Sequence, residues 1–190
     1  QEQMARNRVV RMGTEEPVGE SNDRHETLQV EVWLTSVDER EIGEAAAADG
    51  VSTATLLQAA WQALLWRHSR AEEIVVDVSF DGRKYEYLVN AVGSFAQHLP
   101  VTCRFADQSA FNTILRRTKE ANERAEEWQD YYRDQHESAN ESRIGFEYQS
   151  WSAPQRAGDL HFELVKLSGN HGPFKLKLMG QQQQRGAAHH

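Results

Sequence analysis

The feature that most restricts the fold is a change in the spacing of apolar residues along 52–82. The first part places its apolar side chains on one broad helical stripe: Leu56, Leu57, Ala60, Trp61, Leu64 and Leu65. This stripe predicts a core helix that ends in the charged residues 67–70. Residues 74–80 then alternate and predict a mostly buried strand, which stops at Asp81-Gly82. A buried strand directly after a core helix indicates an α/β fold.

Capping signals mark the helix ends in the first part of the chain. Residues 29–34 alternate polar and apolar side chains and predict a strand with one solvent-facing side. Ser36 and Glu39 have the spacing of a capping box and predict the start of a first helix, which Gly50 is suited to end. Ser52 then begins the core helix.

The later elements complete the α/β pattern. Residues 95–105 are extended, and because Pro100 cannot donate to a β ladder, they predict an edge strand. Asp107 caps the longest helix, whose apolar stripe is Phe111, Ile114, Leu115, Thr118, Ala121, Ala125, Trp128 and Tyr132. Three more strands follow, centred on Phe146, Phe162 and Leu176. This order of elements predicts a mixed sheet with helices packed on one side.

The two ends of the chain do not resemble core. Residues 1–27 hold few apolar side chains and predict a linker or an extended arm. Residues 180–190 are low in complexity, and the final His189-His190 resembles the remnant of a purification tag. We therefore expect the folded region over 28–179. Because the chain does not begin with Met, we expect a fragment of a longer protein.

Charge and composition argue against several classes of partner. The 190 residues carry a net charge of -8, whereas nucleic-acid-binding proteins present a basic face. No apolar run approaches the roughly 18 residues that a membrane span requires. The single cysteine, Cys103, excludes an internal disulfide and indicates a reducing compartment, which predicts a cytoplasmic protein.

No self-contained active site is recognisable. The chain lacks a Gly-rich phosphate loop, a nucleophile elbow and a His-Glu-x-x-His pair, and no histidine has metal-ligand spacing. Cys103 lies in a predicted strand without a Gly-rich turn, which favours a buried thiol over a nucleophile. His98, beside Leu99-Pro100, is typical of a hydrogen-bonded structural histidine, with catalysis as the weaker alternative.

Five segments, in order along the chain, resemble motifs of one known family. The first two are the core helix over 56–69 and the strand over 74–83, which ends in Gly-Arg. The third, 92–101, is similar to the motif (V/I)GxFVNTxPxR, and the fourth, 128–131, is similar to (H/N)QDYPFE. The fifth, 144–149, resembles a strand with the pattern FxYQ. Each motif is short, but in this order they resemble the condensation domains of nonribosomal peptide synthetases over most of the folded region.

Two of these segments depart from the family pattern. Gln97-His98 stands where Asn-Thr is usual, and Thr102 stands where the family has Arg. Tyr132-Arg133 replaces Pro-Phe. The third segment is therefore closer to a divergent group that reads GxFAxxLPV.

The resemblance implies a fold of the chloramphenicol-acetyltransferase type, a two-layer α/β sandwich lobe that meets a similar lobe at a tunnel. The matching segments belong to the second, C-terminal lobe. The HHxxxDG motif, whose second His is the usual catalytic residue, belongs to the first lobe and does not occur in this chain. The resemblance thus implies a half that is inactive alone, with no catalytic residue on this chain apart from His98 as a minor candidate.

The resemblance also implies partners and site residues. An N-terminal lobe completes the tunnel, and carrier proteins present substrates on phosphopantetheine arms, so that an amide or an ester forms with no cofactor or metal bound directly. Arg83 would hold a loop of the tunnel or neutralise a carboxylate of the other lobe. The other residues implied at the tunnel or the lobe interface are Asp81, Gly82, Gly93, Phe95, Gln129 and Asp130.

Two other interpretations stay open. One is a noncatalytic docking or scaffold module derived from a condensation domain, which the departures at 97–98 and Thr102 favour. The other is an autonomous small enzyme that uses His98 or Cys103. A lobe without its partner would expose apolar surface, so we also predict self-association through residues 1–27.

Overall fold

The computed structural model describes residues 28–106, 110–132, 143–151, 153–164 and 174–183. The predicted arm at 1–27, the predicted helix cap Asp107 and the end of the tail after Gln183 lie outside the described residues.

Helices and strands follow one another in an α/β order. The α-helices are α1 (Ser36–Ala48), α2 (Thr53–Ser69) and α3 (Phe111–Trp128). The strands are β1 (Glu73–Phe80), β2 (Gln97–Arg104), β3 (Arg143–Trp151), β4 (Gln155–Ala157), β5 (Leu160–Phe162) and β6 (Phe174–Gln183). Single turns of 3-10 helix occur at Glu86–Leu88 and Gln129–Tyr131.

The chain divides into two compact units. The first unit comprises the chain up to Ile74 together with Arg104–Lys119. The second unit comprises Val75–Cys103 together with the chain from Glu120 onward.

In the first unit, α1 begins with a reciprocal capping box one residue earlier than predicted. The Thr35 hydroxyl accepts from the Asp38 amide at 3.2 Å, and the Asp38 carboxylate accepts from the Thr35 amide at 2.9 Å. The hydrogen bonds from the Thr35 hydroxyl and amide lower the pKa of Asp38. The prediction of Ser36 and Glu39 was wrong, because Thr35 and Asp38 supply the same pair of groups. Gly50 follows α1 with a φ of 63°, as predicted.

The strand predicted at 29–34 is not formed. Residues 28–35 belong to no helix or strand, and the side chains of Leu28, Val30 and Val32 are 80–89% exposed. Alternation makes a strand only where another strand supplies backbone partners, and none pairs with this segment among the residues that the structure describes.

The helix α2 begins where the sequence predicts. The Ser52 hydroxyl accepts from the Thr55 amide at 3.1 Å. The helix ends at Arg70, which has a left-handed φ of 55° and donates its amide to the Trp66 carbonyl at 2.8 Å. The Trp66 ring stacks on Phe105 with 5.1 Å between the centroids, so this end of the helix packs inside the first unit.

The buried face of α2 differs from the predicted stripe. Leu64, which belongs to that stripe, is 58% exposed, whereas Gln58 and Gln62 are buried. The Thr118 hydroxyl of α3 donates to Oε1 of Gln62 at 2.9 Å. The apolar stripe predicted some of the buried positions of α2 wrongly, because a polar side chain can occupy an interior position once it is hydrogen-bonded.

The sheet has the strand order β2-β1-β3-β6, and β4 and β5 form a separate antiparallel pair. The pairs β1–β3 and β3–β6 are parallel. Pro100 lies in β2, at the edge of the sheet, as predicted. The strand β6 pairs with β3 as far as Trp151 and Gln183 and so continues into the glutamines that we assigned to the tail. Parallel and antiparallel pairs together with helices confirm the predicted α/β class.

The buried apolar side chains lie in both units. In the first unit they are Ala46, Ala59, Leu65, Ile74, Phe105, Ile114 and Leu115. In the second unit they are Val76, Val78, Leu99, Val101, Cys103, Ala121, Ile144 and Phe146.

Candidate functional site

The residues after β1 form a compact network around Arg83, in the second unit. The Arg83 guanidinium makes a salt bridge with Asp81 and donates to the carbonyl oxygens of Ala91 and Gly93, both at 3.3 Å. It also lies over the Phe95 ring, 4.9 Å from the centroid. Three guanidinium hydrogen bonds thus go to Asp81, Ala91 and Gly93, and only 25% of the Arg83 side chain is exposed. We call these five residues the Arg83 network.

Gly82 allows the chain to close this network. Its φ of 73° is left-handed, and a Cβ at this position would lie 2.0 Å from the Phe95 carbonyl oxygen. A Cβ at Gly93 would lie 3.0 Å from the Phe95 ring. Gly82 therefore has to be a residue without a side chain, because the backbone of Phe95 approaches it closely. At Gly93 a side chain would require the Phe95 ring to shift slightly.

A second cluster lies at the C-terminal end of α3. The Lys84 ammonium donates to the carbonyl oxygen of Glu127 at 3.2 Å and lies 3.9 Å from the Asp130 carboxylate. A cation at this position complements the negative end of the helix dipole. The Tyr85 hydroxyl donates to Asp130 at 2.8 Å, and this hydrogen bond raises the pKa of Tyr85. Gln129, between the helix and Asp130, is buried.

Four aromatic rings lie exposed around these clusters. Tyr85 and Tyr87 stack with 5.5 Å between their centroids, and Trp128 and Tyr131 make a tilted contact at 5.8 Å. Their exposed fractions run from 43% for Tyr85 to 77% for Tyr131. We call these four residues the aromatic surface. The expectation that Trp128 is a core residue was wrong, because the helix ends there and leaves the ring in solvent.

The structure brings the sequence-predicted interface residues into one region of the second unit. The Arg83 network contains four of them, Asp81, Arg83, Gly93 and Phe95, and Gly82 closes it. Gln129 and Asp130 belong to the cluster at the end of α3. The consecutive residues Arg83, Lys84 and Tyr85 connect the two clusters. Sequence reasoning missed Lys84 and three rings of the aromatic surface: Tyr85, Tyr87 and Tyr131. The signal for the three tyrosines was present in the sequence: Tyr85 and Tyr87 follow the second named segment in a short polar stretch, and Tyr131 is the last residue of the fourth.

His98 lies on β2 and belongs to a different group of contacting side chains from the Arg83 network. Its ring centroid is 5.0 Å from that of Phe174. Burial and the charge of Lys177 lower the pKa of His98. Cys103 is 1% exposed, so the prediction of a buried thiol is confirmed.

In the part of the chain that the structure describes, no group of three or more His, Cys, Asp or Glu side chains could hold a metal ion. In that part of the chain, no helix is long and apolar enough to cross a membrane.

Comparison with known proteins identifies the family. The model of the condensation-domain family matches residues 13–143, which is more than half of the chain. The chain belongs to the condensation-domain family. This result confirms the resemblance carried by the five sequence segments.

Individual relatives agree with this condensation-domain assignment. Bacitracin synthase 3 of Bacillus licheniformis is 24% identical over 101 residues, which are 52% of this chain and 2% of that protein. The solved structure of the SgcC5 protein from Streptomyces globisporus superposes with a TM-score of 0.58 and 22% identity, over 74% of this chain and 36% of that one. The first condensation domain of the calcium-dependent antibiotic synthetase gives a TM-score of 0.53 and 22% identity, over 64% of this chain and 29% of that one.

The structural similarity confirms the condensation-domain fold, which is of the chloramphenicol-acetyltransferase type. The chain spans only 2% of the bacitracin synthase and about a third of the two solved chains. It therefore corresponds to a part of a condensation domain.

Proposed function

We propose that this chain is the C-terminal half of a condensation domain and forms one wall of an acyl-transfer tunnel. In that tunnel an amide or an ester would form between substrates tethered to carrier proteins by phosphopantetheine arms. The observation that carries the proposal is the aromatic surface beside the Arg83 network. Large aromatic rings that are exposed on a well-structured surface are typical of a site that a binding partner covers.

The Arg83 network supports a specific division of roles. Arg83 already uses its guanidinium on Asp81 and on the carbonyl oxygens of Ala91 and Gly93. This favours Arg83 as the residue that shapes a tunnel loop over Arg83 as the partner of a carboxylate on the other half. Gly82, Gly93 and Phe95 would hold the same loop by close packing.

The chemistry would come from the other half of the domain. That half would carry the HHxxxDG motif, whose second His acts on the acceptor nucleophile while the tunnel holds both tethered substrates in reach. Positioning of this kind can supply several kcal/mol of rate acceleration. This chain alone is then inactive, binds no cofactor directly, and works in the cytoplasm, where its single Cys103 stays reduced.

Complementation tests this proposal. The chain is mixed with a separately expressed N-terminal half that carries HHxxxDG, and product formation is measured from carrier-bound donor and acceptor. We expect turnover only with both halves present. Binding of the two halves without any turnover, with the His motif intact, would contradict the proposal.

Variants of the aromatic surface locate the contact. We expect Trp128→Ala to weaken association of the halves about tenfold or more, because a large ring at an interface centre is often a hot spot. Trp33→Ala is the matched control, since Trp33 is 87% exposed and lies in the first unit. Equal effects of the two substitutions would remove the aromatic surface from the proposed interface.

The departures at Gln97, His98 and Thr102 favour a second function, a noncatalytic docking module. Such a module would capture carrier proteins without an N-terminal half, which a pull-down from the isolated chain measures. An autonomous enzyme would instead lose its activity in a His98→Ala, Cys103→Ala double variant.

A further inference from the structure

One face of the sheet in the second unit carries charged side chains that are nearly buried. The strand register places Asp77 of β1 beside Gly145 of β3, and Gly145 beside Lys177 of β6. Lys177 forms a salt bridge with Glu147, and the two side chains are only 10% and 15% exposed. Arg143 Nε donates to Asp77 Oδ2 at 2.5 Å, with 12% and 7% of the side chains exposed. Two ion pairs thus lie side by side with little solvent.

Phe174 lies between the two cations of this face. Its ring centroid is 5.4 Å from the Arg143 guanidinium carbon and 5.3 Å from the Lys177 ammonium. Gly145 makes room for the ring, because a Cβ there would lie 3.0 Å from Phe174 and from the Lys177 side chain. The imidazole of His98 contacts the same ring at 5.0 Å between centroids. We call His98 and these charged residues the sheet-face cluster.

His98 has a specific electrostatic environment in this cluster. Its Nε2 is fully buried and has no hydrogen-bond partner among the described residues. The charged groups that face it are Asp77 from β1, Arg143 and Glu147 from β3, and Lys177 from β6. Burial and the two cations lower the pKa of His98, while the two carboxylates oppose this shift. The imidazole is therefore neutral at neutral pH.

We propose that His98 makes the second unit acid-sensitive, because a proton on its imidazole adds a buried positive charge beside Lys177 and Arg143 and loosens the edge strand β2 from the sheet. Among the described residues, the two carboxylates that face His98 are already paired, Asp77 with Arg143 and Glu147 with Lys177, so the added charge has to share them. β2 is the element that yields, since an edge strand has a neighbour on one side only.

The sign of the pH effect follows from the direction of the shift. The folded state holds the pKa of His98 below the ordinary value of 6.5, so the unfolded chain binds the proton first on acidification. Stability is complete above that value and falls as the pH drops through it. The loss levels off once the pH is below the folded-state pKa.

Urea unfolding of the whole chain at about pH 7.5 and about pH 5 tests the proposal. We expect the unfolding midpoint of the parent chain to fall on acidification, and His98→Gln to remove about half or more of that fall. His161→Gln is the matched control, because His161 is exposed on β5 of the same unit. An equal fall in the parent and both variants would overturn the proposal.

A measurement on the parent chain keeps the proposal testable if His98→Gln does not fold. In NMR titrations of the imidazole C–H resonances, we expect the pKa of His98 to lie below the ordinary value of 6.5. Amide hydrogen exchange over Gln97–Arg104 should accelerate over the same pH interval. A His98 pKa at or above its ordinary value, or a β2 that stays protected, would refute the acid-sensitive strand.

Discussion

The two units of this condensation-domain chain bury polar groups in different ways. The first unit buries a neutral pair, in which the Thr118 hydroxyl donates to Gln62 and both side chains are 0% exposed. The second unit buries two charged pairs on one sheet face, Asp77–Arg143 and Glu147–Lys177. Burial would raise the pKa of Glu147, but the hydrogen bonds from Lys177 and Gln149 hold it below its ordinary value.

The interior of the first unit therefore holds a neutral hydrogen bond, whereas the interior of the second unit holds charges. When a neutral hydrogen-bonded pair is buried, its two polar groups lose little hydration free energy. The single contact also gives a hydrogen-bond partner to a side chain on each of two helices, α2 and α3. A buried ion pair loses the hydration of two charges, and apolar residues of the same volume often give equal or greater stability. The charges of the second unit are therefore not explained by packing alone, and they lie where we propose the pH response.

Removal of one buried charge should lower the free energy of unfolding more than the other substitutions that compare the two units. Lys177→Met leaves the buried Glu147 carboxylate without its cation, and we expect the free energy of unfolding to fall by about 3 kcal/mol in urea titrations. Arg40→Met is the control, because the Arg40–Glu44 pair is 64% and 70% exposed and is worth about 0.5 kcal/mol or less.

A double variant shows whether the unpaired charge is the cause. We expect Lys177→Met with Glu147→Met to regain most of the stability that Lys177→Met loses. If Lys177→Met costs no more than Arg40→Met, the cluster is solvated and the contrast between the units disappears.

Replacement of a glycine by alanine should lower the stability when it is made in the second unit and raise it when it is made in the first. Gly145→Ala places a methyl group 3.0 Å from Phe174 and Lys177, and we expect a loss of about 1–3 kcal/mol. Gly43→Ala, inside α1, has open space within 4 Å and should stabilise by about 0.5–1 kcal/mol through helix propensity. Thermal or urea unfolding of both variants measures this, and a shared sign would show that the sheet-face cluster tolerates repacking.

The smallest effect is expected from the neutral pair of the first unit. Thr118→Val keeps the shape of the side chain and removes the donor to Gln62, so we expect a loss of about 1–2 kcal/mol in urea unfolding. Thr102→Val, at an exposed position of β2, should change stability by less than about 0.5 kcal/mol. A Thr118→Val loss as large as that of Lys177→Met would mean that charge is not what distinguishes the units.

Local elements of this fold were predictable because their causes are local. Ser52 begins α2 through a hydroxyl three residues from the amide it accepts from, and Gly50 ends α1 through its own φ. Pro100 marked an edge strand because a missing amide has the same consequence in any sheet. Asp81–Arg83 were named from a short motif of the family resemblance, and their role at a tunnel stays a prediction.

Other features depended on residues far away in the chain. The partner of Gln62 lies 56 residues later, so no local pattern could show that this glutamine is buried. The segment 29–34 alternates like a strand, but a strand requires a pairing neighbour. Trp128 fits a helical stripe, yet the helix ends at that residue and the ring is exposed.

The sequence by itself determined the α/β class, the starts and ends of several elements and the membership of the condensation-domain family. Apolar periodicity, helix caps and short motifs depend on residues a few positions apart. Their effects are therefore the same whatever the rest of the chain packs against them. Only the tertiary structure decided which side chains lie together: the four rings of the aromatic surface, and the imidazole of His98 beside two ion pairs. These groupings arise from strand register and long-range packing, which bring together side chains that are distant in the chain.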